Sequence, residues 1–178
     1  MRLIFICFLP IFLWAKSATL SAILDGDTLL FLEENSKLIC QLAFIDAPEL
    51  EPNKRALFQE KSCKIHLNDL IDAGEEAASF VAKNVSIGQK YNIEVLATFK
   101  DGWASCIVHI PQGTHIQLNP NLNALMLDQG YAVFYNTASS NKKLVTSMKE
   151  RATLAKKESR GLWKNAPKVM NCLNVLDQ

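Results

Sequence analysis

The sequence lacks the usual marks of a membrane protein, a zinc protein or a repeat protein. After residue 14 it has no apolar run approaching the roughly 20 residues that a membrane-spanning helix needs. No two of its five cysteines have the Cys-x-x-Cys spacing typical of a zinc site. No segment repeats, and none has a low-complexity composition. The net charge is only +1, so the chain as a whole is not a strongly basic protein that binds nucleic acid by charge alone.

The first residues have the layout of a secretory signal peptide. Arg2 is followed by an apolar run over residues 3–14 and by small residues at positions 15 and 17. The run is about a dozen residues long, which is short for a transmembrane anchor, the alternative interpretation. We therefore predict that residues 1–17 are a signal peptide cleaved near Ser17. The mature chain would then be exported, to the periplasm or out of the cell.

Export bears on the four cysteines that remain after cleavage, because exported chains can form disulfides. These cysteines are Cys40, Cys63, Cys106 and Cys172, which allow three pairings. We expect one or two disulfides, and the sequence leaves the pairing open. Alternatively, Cys40 and Cys106, which lie in strand-like runs, are buried thiols. The mature length of about 160 residues is enough for one domain with a sizeable core.

Charge is unevenly distributed along the mature chain. Residues 18–140 contain 8 basic and 15 acidic side chains, whereas residues 141–168 contain 9 basic and 2 acidic ones. The basic segment could attract a polyanion. A solvated helix face is the simpler interpretation, and on the segment alone we prefer it.

Five runs have the composition of β-strands separated by turn residues. Turns at residues 25–27 and 33–36 join the first three runs, which predicts an antiparallel meander. A Lys-Asp-Gly turn joins the last two, which predicts a hairpin. The five runs cover residues 19–24, 28–32, 37–45, 90–99 and 103–110, and a further short strand is expected at residues 131–135.

Apolar residues at helical spacing separate and follow these strands. The predicted helices cover residues 75–85, 119–130 and 142–160, with Asn119 as the N-cap of the second. Residues 50–73 show no firm period, and we interpret them as an excursion with a short helix. The pattern predicts an α+β fold over residues 18–164, a five-stranded OB-type β-barrel with about three helices. Residues 165–178 would be a tail, either a strap over the barrel or a partly disordered end.

Two acidic segments stand at the ends of predicted strands. The first is Asp25-Gly26-Asp27, and the second runs from Asp46 to Glu49 with Ala-Pro between them. Each alone is typical of a plain turn, because Asp bonds its own backbone and Gly tolerates positive φ. Together, three carboxylates at strand ends can hold a hard cation and activate water, which suits hydrolysis of a phosphodiester.

Five short strings, in order along the chain, carry a family resemblance. They are ILDGDT, LAFIDAPE, EEAASFV, LDQGYA and AKKESRGLW. Each is weak alone, but the ordered set, with matching strands and helices between the strings, resembles the thermonuclease family and its staphylococcal-nuclease-like (TNase-like) domain. The resemblance covers nearly all of residues 19–163 and implies the OB-type barrel and a calcium-dependent nuclease.

The resemblance also implies roles for the acidic residues. Asp27, Asp46 and the backbone carbonyl of Ala47 would bind Ca2+, with waters and a substrate phosphate completing the ligand set. Asp25 would stand behind these ligands without binding the ion. Glu49 would orient or deprotonate the attacking water while the cation polarises the phosphoryl oxygen.

The family pattern includes two arginines that clamp the phosphate, and this chain has neither. Gln41 and Trp103 occupy the two positions, which we term the clamp positions. An arginine that stabilises charge in phosphoryl transfer is worth about 10³- to 10⁵-fold in rate. Gln41 brings hydrogen bonds without charge, and Trp103 could stack on a base. Arg55, six residues after Glu49, is the candidate replacement, because a lysine cannot clamp in a bidentate way.

Two further residues are candidates for substrate binding. Lys100 resembles a family position near the substrate phosphate, although a lysine in a turn is usually only solvated. Tyr135 is expected near the nucleotide pocket, with a core or rim aromatic as the alternative.

These observations leave two main functions open. The first is an exported, monomeric thermonuclease-like enzyme that hydrolyses DNA or RNA with calcium and is weakened by loss of the arginine clamp. The second is a catalytically degenerate OB-fold module that binds nucleic acid or a protein partner, for which the basic helix 142–160 and Trp103 would matter more than the carboxylates. A structural envelope protein without a ligand is a third possibility. We place the nuclease slightly ahead of the binding module.

Overall fold

The computed structural model describes residues 15–34, 36–111, 121–136 and 141–176, and its centre is a closed five-stranded barrel. The barrel strands are β1 (Ala15–Ile23), β2 (Thr28–Glu33), β3 (Ser36–Leu42), β5 (Lys90–Thr98) and β6 (Trp103–His109). They lie in the order β1-β2-β3-β6-β5, with β3 and β6 parallel and the other neighbours antiparallel. A closed five-stranded barrel with mixed pairing is the predicted OB-type architecture.

The barrel interior is filled by apolar side chains that alternate along the strands. Leu29 and Phe31 of β2 and Cys40 of β3 are fully buried. Cys40 lies in register with Ala104 of β6, which is also buried. The predicted meander and hairpin are confirmed, with the first strand starting at Ala15 rather than at residue 19.

The predicted signal peptide overlaps the start of β1. Residues 1–14 lie outside the described residues, whereas residues 15–17 pair with β5 between Glu94 and Asn92. Cleavage near Ser17 would remove these three residues from the strand. Ala18, which is buried in β1, would remain in place. Cleavage therefore stays a prediction.

The third predicted strand, residues 37–45, is two strands rather than one. β3 ends at Leu42, and the fully buried Phe44 has a φ of 67°, in the left-handed region. The chain turns there and leaves the barrel. Its next residues form β4 (Ile45–Asp46), which pairs with β7 (Val133–Phe134) in a separate two-stranded sheet. The turn thus carries Asp46 onto a small sheet beside the barrel.

The described residues contain six α-helices, more than predicted. They are α1 (Lys54–Cys63), α2 (Leu67–Asn84), α3 (Leu122–Asp128), α4 (Lys142–Lys157), α5 (Leu162–Asn165) and α6 (Pro167–Leu176). The interpretation of residues 50–73 as an excursion is wrong in part, because they hold all of α1 and the beginning of α2. Asn53 caps α1 by accepting backbone N–H groups from Arg55 and Ala56 at 2.9 Å each. None of the helices in these ranges combines the length and apolar character of a membrane span.

The third helix starts later than predicted. Asn121 is its N-cap and accepts the N–H of Ala124 at 2.7 Å, whereas the predicted cap, Asn119, lies outside the described residues. The next residue but one, Asn123, is fully buried and bonds three backbone groups. Its amide donates to the carbonyls of Ala43 and Cys106 at 2.9 Å each and accepts the N–H of Val108 at 3.1 Å. This side chain satisfies the backbone where the chain leaves the barrel.

Two of the motif strings, LDQGYA and AKKESRGLW, pack against each other in the structure, and each has a glycine at the contact. Gly130 follows α3 and Gly161 follows α4, and both have positive φ. A Cβ on Gly130 would lie 2.3 Å from the Arg160 carbonyl oxygen, and one on Gly161 would lie 2.3 Å from that of Gln129. Leu162 N–H donates to Gly130 O at 3.0 Å. Glycine at both positions therefore lets the ends of α3 and α4 pack backbone to backbone.

The tail predicted as a strap or a partly disordered end is helical as far as Leu176. A disulfide between Cys63 and Cys172 joins α6 to α1, with a Cα–Cα distance of 5.7 Å. A second disulfide, Cys40–Cys106, joins β3 to β6 across 5.8 Å, so these residues are not the buried thiols of the alternative interpretation. In the chain-entropy model a bridge that closes a loop of about 100 residues stabilises a fold by about 4.7 kcal/mol. The Cys63–Cys172 bridge spans 109 residues.

Candidate active site

The first acidic segment forms a tight corner after β1. Leu24 and Asp25 donate their backbone N–H groups to Thr28 O at 2.9 and 3.2 Å. The carboxylate of Asp25 accepts the N–H of Asp27 at 2.9 Å. This geometry is the turn expected of an Asp-Gly sequence. It leaves Asp25 half-buried and Asp27 only 5% exposed.

Glycine at position 26 lets this corner pack closely. A Cβ there would lie 2.8 Å from the Cβ atoms of both Ala47 and Ala77. The corner is therefore wedged between the second acidic segment and α2. A larger residue at position 26 would push these two neighbours away.

A hydrogen bond connects the two acidic segments directly. The backbone N–H of Ala47 donates to Asp27 Oδ2 at 3.1 Å, across a sequence separation of 20 residues. Thr28 donates its hydroxyl to Asp27 Oδ1 at 2.8 Å. Both oxygens of this carboxylate are thus held, and the residue that follows Asp46 touches it. The two acidic segments are therefore in direct contact.

The surroundings of Asp27 raise the pKa of its carboxyl well above the ordinary value. Burial is the main cause, and the neighbouring Asp25 carboxylate adds to it by repulsion and by its hydrogen bond. The bonds from Ala47 and Thr28 act in the opposite direction. Burial and the Asp25 carboxylate therefore disfavour the ionised form of Asp27.

Asp46 lies at the bottom of the second segment. Its side chain is 3% exposed, and its backbone pairs with Val133 in the β4–β7 sheet. Arg55, from the first turn of α1, places Nη2 at 2.5 Å from Asp46 Oδ2. The side chain of Arg55 is 39% exposed, so it lies between the buried carboxylate and solvent. The candidate replacement for the arginine clamp thus lies beside a predicted metal ligand.

Glu49 is held by the same helix start. Asn53 donates its amide to Glu49 Oε2 at 2.5 Å, and Arg55 Nε lies 3.5 Å from Oε1. The carboxylate is mostly buried, with 12% of its side chain exposed. Because Asn53 also caps α1, the position of the carboxylate and that of the helix are coupled.

The backbone of Glu49 rests on α2 at Gly74. A Cβ at position 74 would lie 2.0 Å from Glu49 O, 2.5 Å from Glu49 C and 2.9 Å from Leu50 N. All three are backbone atoms, which cannot move aside as a flexible side chain can. Gly74 therefore allows α2 to pack directly under the second acidic segment.

The variant Gly74→Ala is expected to destabilise the fold and displace Glu49. In an ordinary helix position this change stabilises by about 1 kcal/mol. Here the new methyl group must push backbone atoms apart, and overpacking of this kind costs roughly 1–3 kcal/mol. Denaturant unfolding measures the difference. Ser79→Ala, on an exposed position of the same helix, is the matched control and should stay within about 0.5 kcal/mol of the parent. A Gly74→Ala protein as stable as the parent would contradict the close packing.

A family model for staphylococcal nuclease homologues matches residues 40–165, more than half of the chain. The chain belongs to the staphylococcal nuclease family. A search of curated proteins found no match. The matched range of this nuclease homologue contains Asp46, Glu49 and Arg55 and begins after the corner at residues 25–27. The hydrogen bond from Ala47 to Asp27 connects that corner to the matched part.

The clamp positions of this nuclease homologue share one face of the barrel. Gln41 lies in register with Thr28 on one side and with Ser105 on the other. Trp103 precedes Ser105 by two residues on β6, so its side chain lies on the same face as that of Gln41. Trp103 is 40% exposed. Arginines at these positions would extend from the face beside Thr28, whose hydroxyl holds Asp27.

Lys100 and Tyr135 lie near the edges of this region. Lys100 is exposed in the 3₁₀ turn between β5 and β6, and within the described residues it forms no hydrogen bond or ion pair with the acidic segments. Tyr135 is 41% exposed and donates its backbone N–H to Phe44 O at 3.0 Å, next to the strand that carries Asp46. The structure therefore places Tyr135 next to an acidic segment of the nuclease homologue.

The oxygen atoms around Asp27 and Asp46 suit a hard cation such as Ca2+. Two carboxylates and the Ala47 carbonyl come from segments in contact, and such oxygens are the usual ligands of calcium. Burial and the nearby Asp25 carboxylate both raise the pKa of Asp27, and a bound cation would favour its ionised form. However, the described part of the chain has no group of three or more His, Cys, Asp or Glu side chains able to hold a metal. The residues fit calcium in donor chemistry, while Arg55 already contacts Asp46.

Sequence reasoning missed two residues that shape this site, Asn53 and Gly74. Asn53 had a usable signal, because an asparagine just before a segment of helix-forming residues is a typical N-cap. Gly74 had none, since its partner is the backbone of Glu49, which is distant in sequence and adjacent only in the folded chain.

Proposed function

We propose that this chain is an exported, calcium-dependent nuclease that hydrolyses phosphodiester bonds of DNA or RNA and is slowed by the absence of the arginine clamp. The hydrogen bond from Ala47 to Asp27, at 3.1 Å, is the observation that carries the proposal. It joins the two acidic segments at a buried carboxylate. Glu49 follows in the second segment, where a proton acceptor for water is required.

In the proposed reaction, each residue of the site has a separate role. Glu49 accepts a proton from the attacking water, and its bonds to Asn53 and Arg55 keep the carboxylate in one orientation. Asp27, Asp46 and the Ala47 carbonyl would hold calcium, which supplies the Lewis acid that polarises the phosphoryl oxygen. Arg55 is partly exposed and can offer its guanidinium to a phosphate oxygen. In-line attack of this water on phosphorus breaks the bond to the 5′-oxygen, which takes a proton from solvent and leaves as a 5′-hydroxyl. The other product is a 3′-phosphate, as the family resemblance implies.

The two disulfides support the exported part of the proposal. Disulfides persist in oxidising compartments and are rare in the cytosol. The pairs Cys40–Cys106 and Cys63–Cys172 account for the four cysteines that follow the predicted signal peptide. We propose that the exported chain acts as a monomer.

A second candidate function is binding of nucleic acid without cleavage. The exposed Trp103 favours it, because an aromatic ring on the outer face of an OB-type barrel can stack on a base. Gln41 on the same face offers hydrogen bonds to a phosphate but no charge. The barrel would then hold a strand that the acidic site does not cut.

A cleavage assay on the mature chain separates the two functions. With calcium, slow cutting of DNA or RNA is expected, and a chelator should stop it. Because an arginine of this kind is worth about 10³- to 10⁵-fold, the rate should be lower than that of a family member with the clamp by a factor in that range. Asp46→Asn should remove the activity. Cutting that survives the chelator would contradict the proposal, and salt-dependent binding without cutting would favour the binding module.

A further inference from the structure

The contact between Arg55 and Asp46 puts a positive charge where the proposed function requires a cation. Arg55 Nη2 lies 2.5 Å from Asp46 Oδ2, and Arg55 Nε lies 3.5 Å from Glu49 Oε1. The guanidinium therefore bridges a proposed metal ligand and the proposed proton acceptor. Asp46 is nearly inaccessible at 3% exposure, while Arg55 is 39% exposed.

The position of Arg55 follows from the local fold. Asn53 fixes the first turn of α1 through the backbone N–H of Arg55 itself, at 2.9 Å. The amide of Asn53 also holds Glu49, at 2.5 Å. Residues 49–55 thus form a closed loop in which the helix start and the acidic segment constrain each other. This loop therefore holds Arg55 beside Asp46.

A guanidinium and a divalent cation on the same buried carboxylate repel each other. A carboxylate oxygen that donates electron density to a metal ion loses strength as a partner of arginine, and the reverse also holds. Screening by water is weak at such a buried group. Binding of a divalent ion by Asp46 therefore works against the Arg55 contact.

We propose that Arg55 is a built-in counter-ion of Asp46 that competes with a divalent cation for this carboxylate. Binding of the cation displaces the guanidinium toward solvent, where it becomes available to an anionic oxygen of the substrate. The inference deepens the proposed function, on which it rests for the nature of the cation. It concerns cation affinity in the absence of nucleic acid, so it can be tested separately from cleavage.

Calorimetric titration of the mature, disulfide-bonded chain with CaCl2 tests the competition. Arg55→Gln should bind Ca2+ at least about 10-fold more tightly than the parent, because the competing charge is gone. Arg55→Lys, which keeps the charge, should stay within about 3-fold of the parent. Lys54→Gln is the matched control: it removes one positive charge from the neighbouring, exposed position of the same helix and should leave the affinity unchanged.

Further variants locate the effect at Asp46. Adding Asp46→Asn to Arg55→Gln should abolish the gain in affinity. Thermal unfolding with and without CaCl2 gives a second readout, in which only Arg55→Gln should show a clearly larger calcium-dependent rise in Tm. Equal or weaker calcium binding by Arg55→Gln would overturn the inference, as would an equal gain in Lys54→Gln or no calcium binding by any variant.

The outcomes also separate this inference from the proposed function. If Arg55→Gln raises the calcium affinity but the protein never cleaves nucleic acid, the competition is supported and the nuclease function is contradicted. If the protein cleaves nucleic acid with calcium but Arg55→Gln leaves its calcium affinity unchanged, the nuclease function is supported and the competition is contradicted.

Discussion

Placing arginine at both clamp positions, Gln41→Arg together with Trp103→Arg, is expected to raise the rate of nucleic-acid cleavage at least about 10³-fold. The two positions lie on one face of the barrel, beside Thr28, which bonds Asp27. Guanidinium groups there would stabilise the negative charge on the phosphoryl oxygens in the transition state. Single-turnover cleavage with saturating calcium measures this step without product release.

A control variant must separate the effect of an arginine at a clamp position from the effect of any added positive charge. Phe99→Arg adds an arginine to an exposed site at the other end of the same hairpin turn, where the backbone N–H of Phe99 bonds Trp103 O. It should tighten binding of nucleic acid modestly and leave the single-turnover rate within about 3-fold of the parent. An equal rate gain from Phe99→Arg, or no gain from the double variant, would show that the missing clamp does not limit catalysis.

The barrel could be predicted from the sequence because its signals are local. Alternating apolar residues and short polar turns define the strands and their meander. The break at Phe44 could not be predicted, because residues 37–45 form an apolar-rich run without a turn residue. The neighbouring Ala43 carbonyl is bonded by Asn123, which is distant in sequence. A continuous strand would have kept Asp46 on the barrel.

The short helix expected within residues 50–73 could not be placed from the sequence, and the early start of α2 was not predicted, for a different reason. Only Ala56 and Gln59 of α1 are buried, so the helix lacks the broad apolar face by which helices are recognised. Its position depends on the Asn53 cap and on the Cys63–Cys172 disulfide. The sequence left three disulfide pairings open, and only the three-dimensional neighbourhood of the cysteines selects among them.

The candidate site was predictable to the extent that it consists of motif residues. Asp25, Asp27, Asp46 and Glu49 stand at strand ends, where the order of elements already places them in one region. What the sequence could not show is the packing that unites them, in which Gly26 touches Ala47 and Ala77 closely. Such contacts join residues that are distant in sequence, so they can be seen only in the folded chain. The contact of Arg55 with Asp46 and Glu49 is of the same kind, since it depends on a helix whose position the sequence did not define.

Glu49→Gln is expected to lower the calcium-dependent cleavage rate by about 10²- to 10⁴-fold. Glutamine has nearly the same shape and can still accept the amide of Asn53 through its oxygen, so the loop should keep its conformation. It cannot accept a proton from water, which is the role proposed for the carboxylate. Because Glu49 is not a proposed calcium ligand, the affinity for Ca2+ should stay within about 3-fold of the parent. The rate should fall while cation binding persists.

Glu51→Gln supplies the matched comparison for this variant. Glu51 lies on the same loop, is exposed, and carries the same charge, so its change alters the local field without touching the proposed chemistry. Its rate should remain within about 2-fold of the parent. If both variants lose activity equally, the loop acts through its overall charge, and Glu49 is not the proton acceptor. If Glu49→Gln alone fails while binding calcium as the parent does, the deficit is in the transfer of the proton, because shape, loop and cation are all retained.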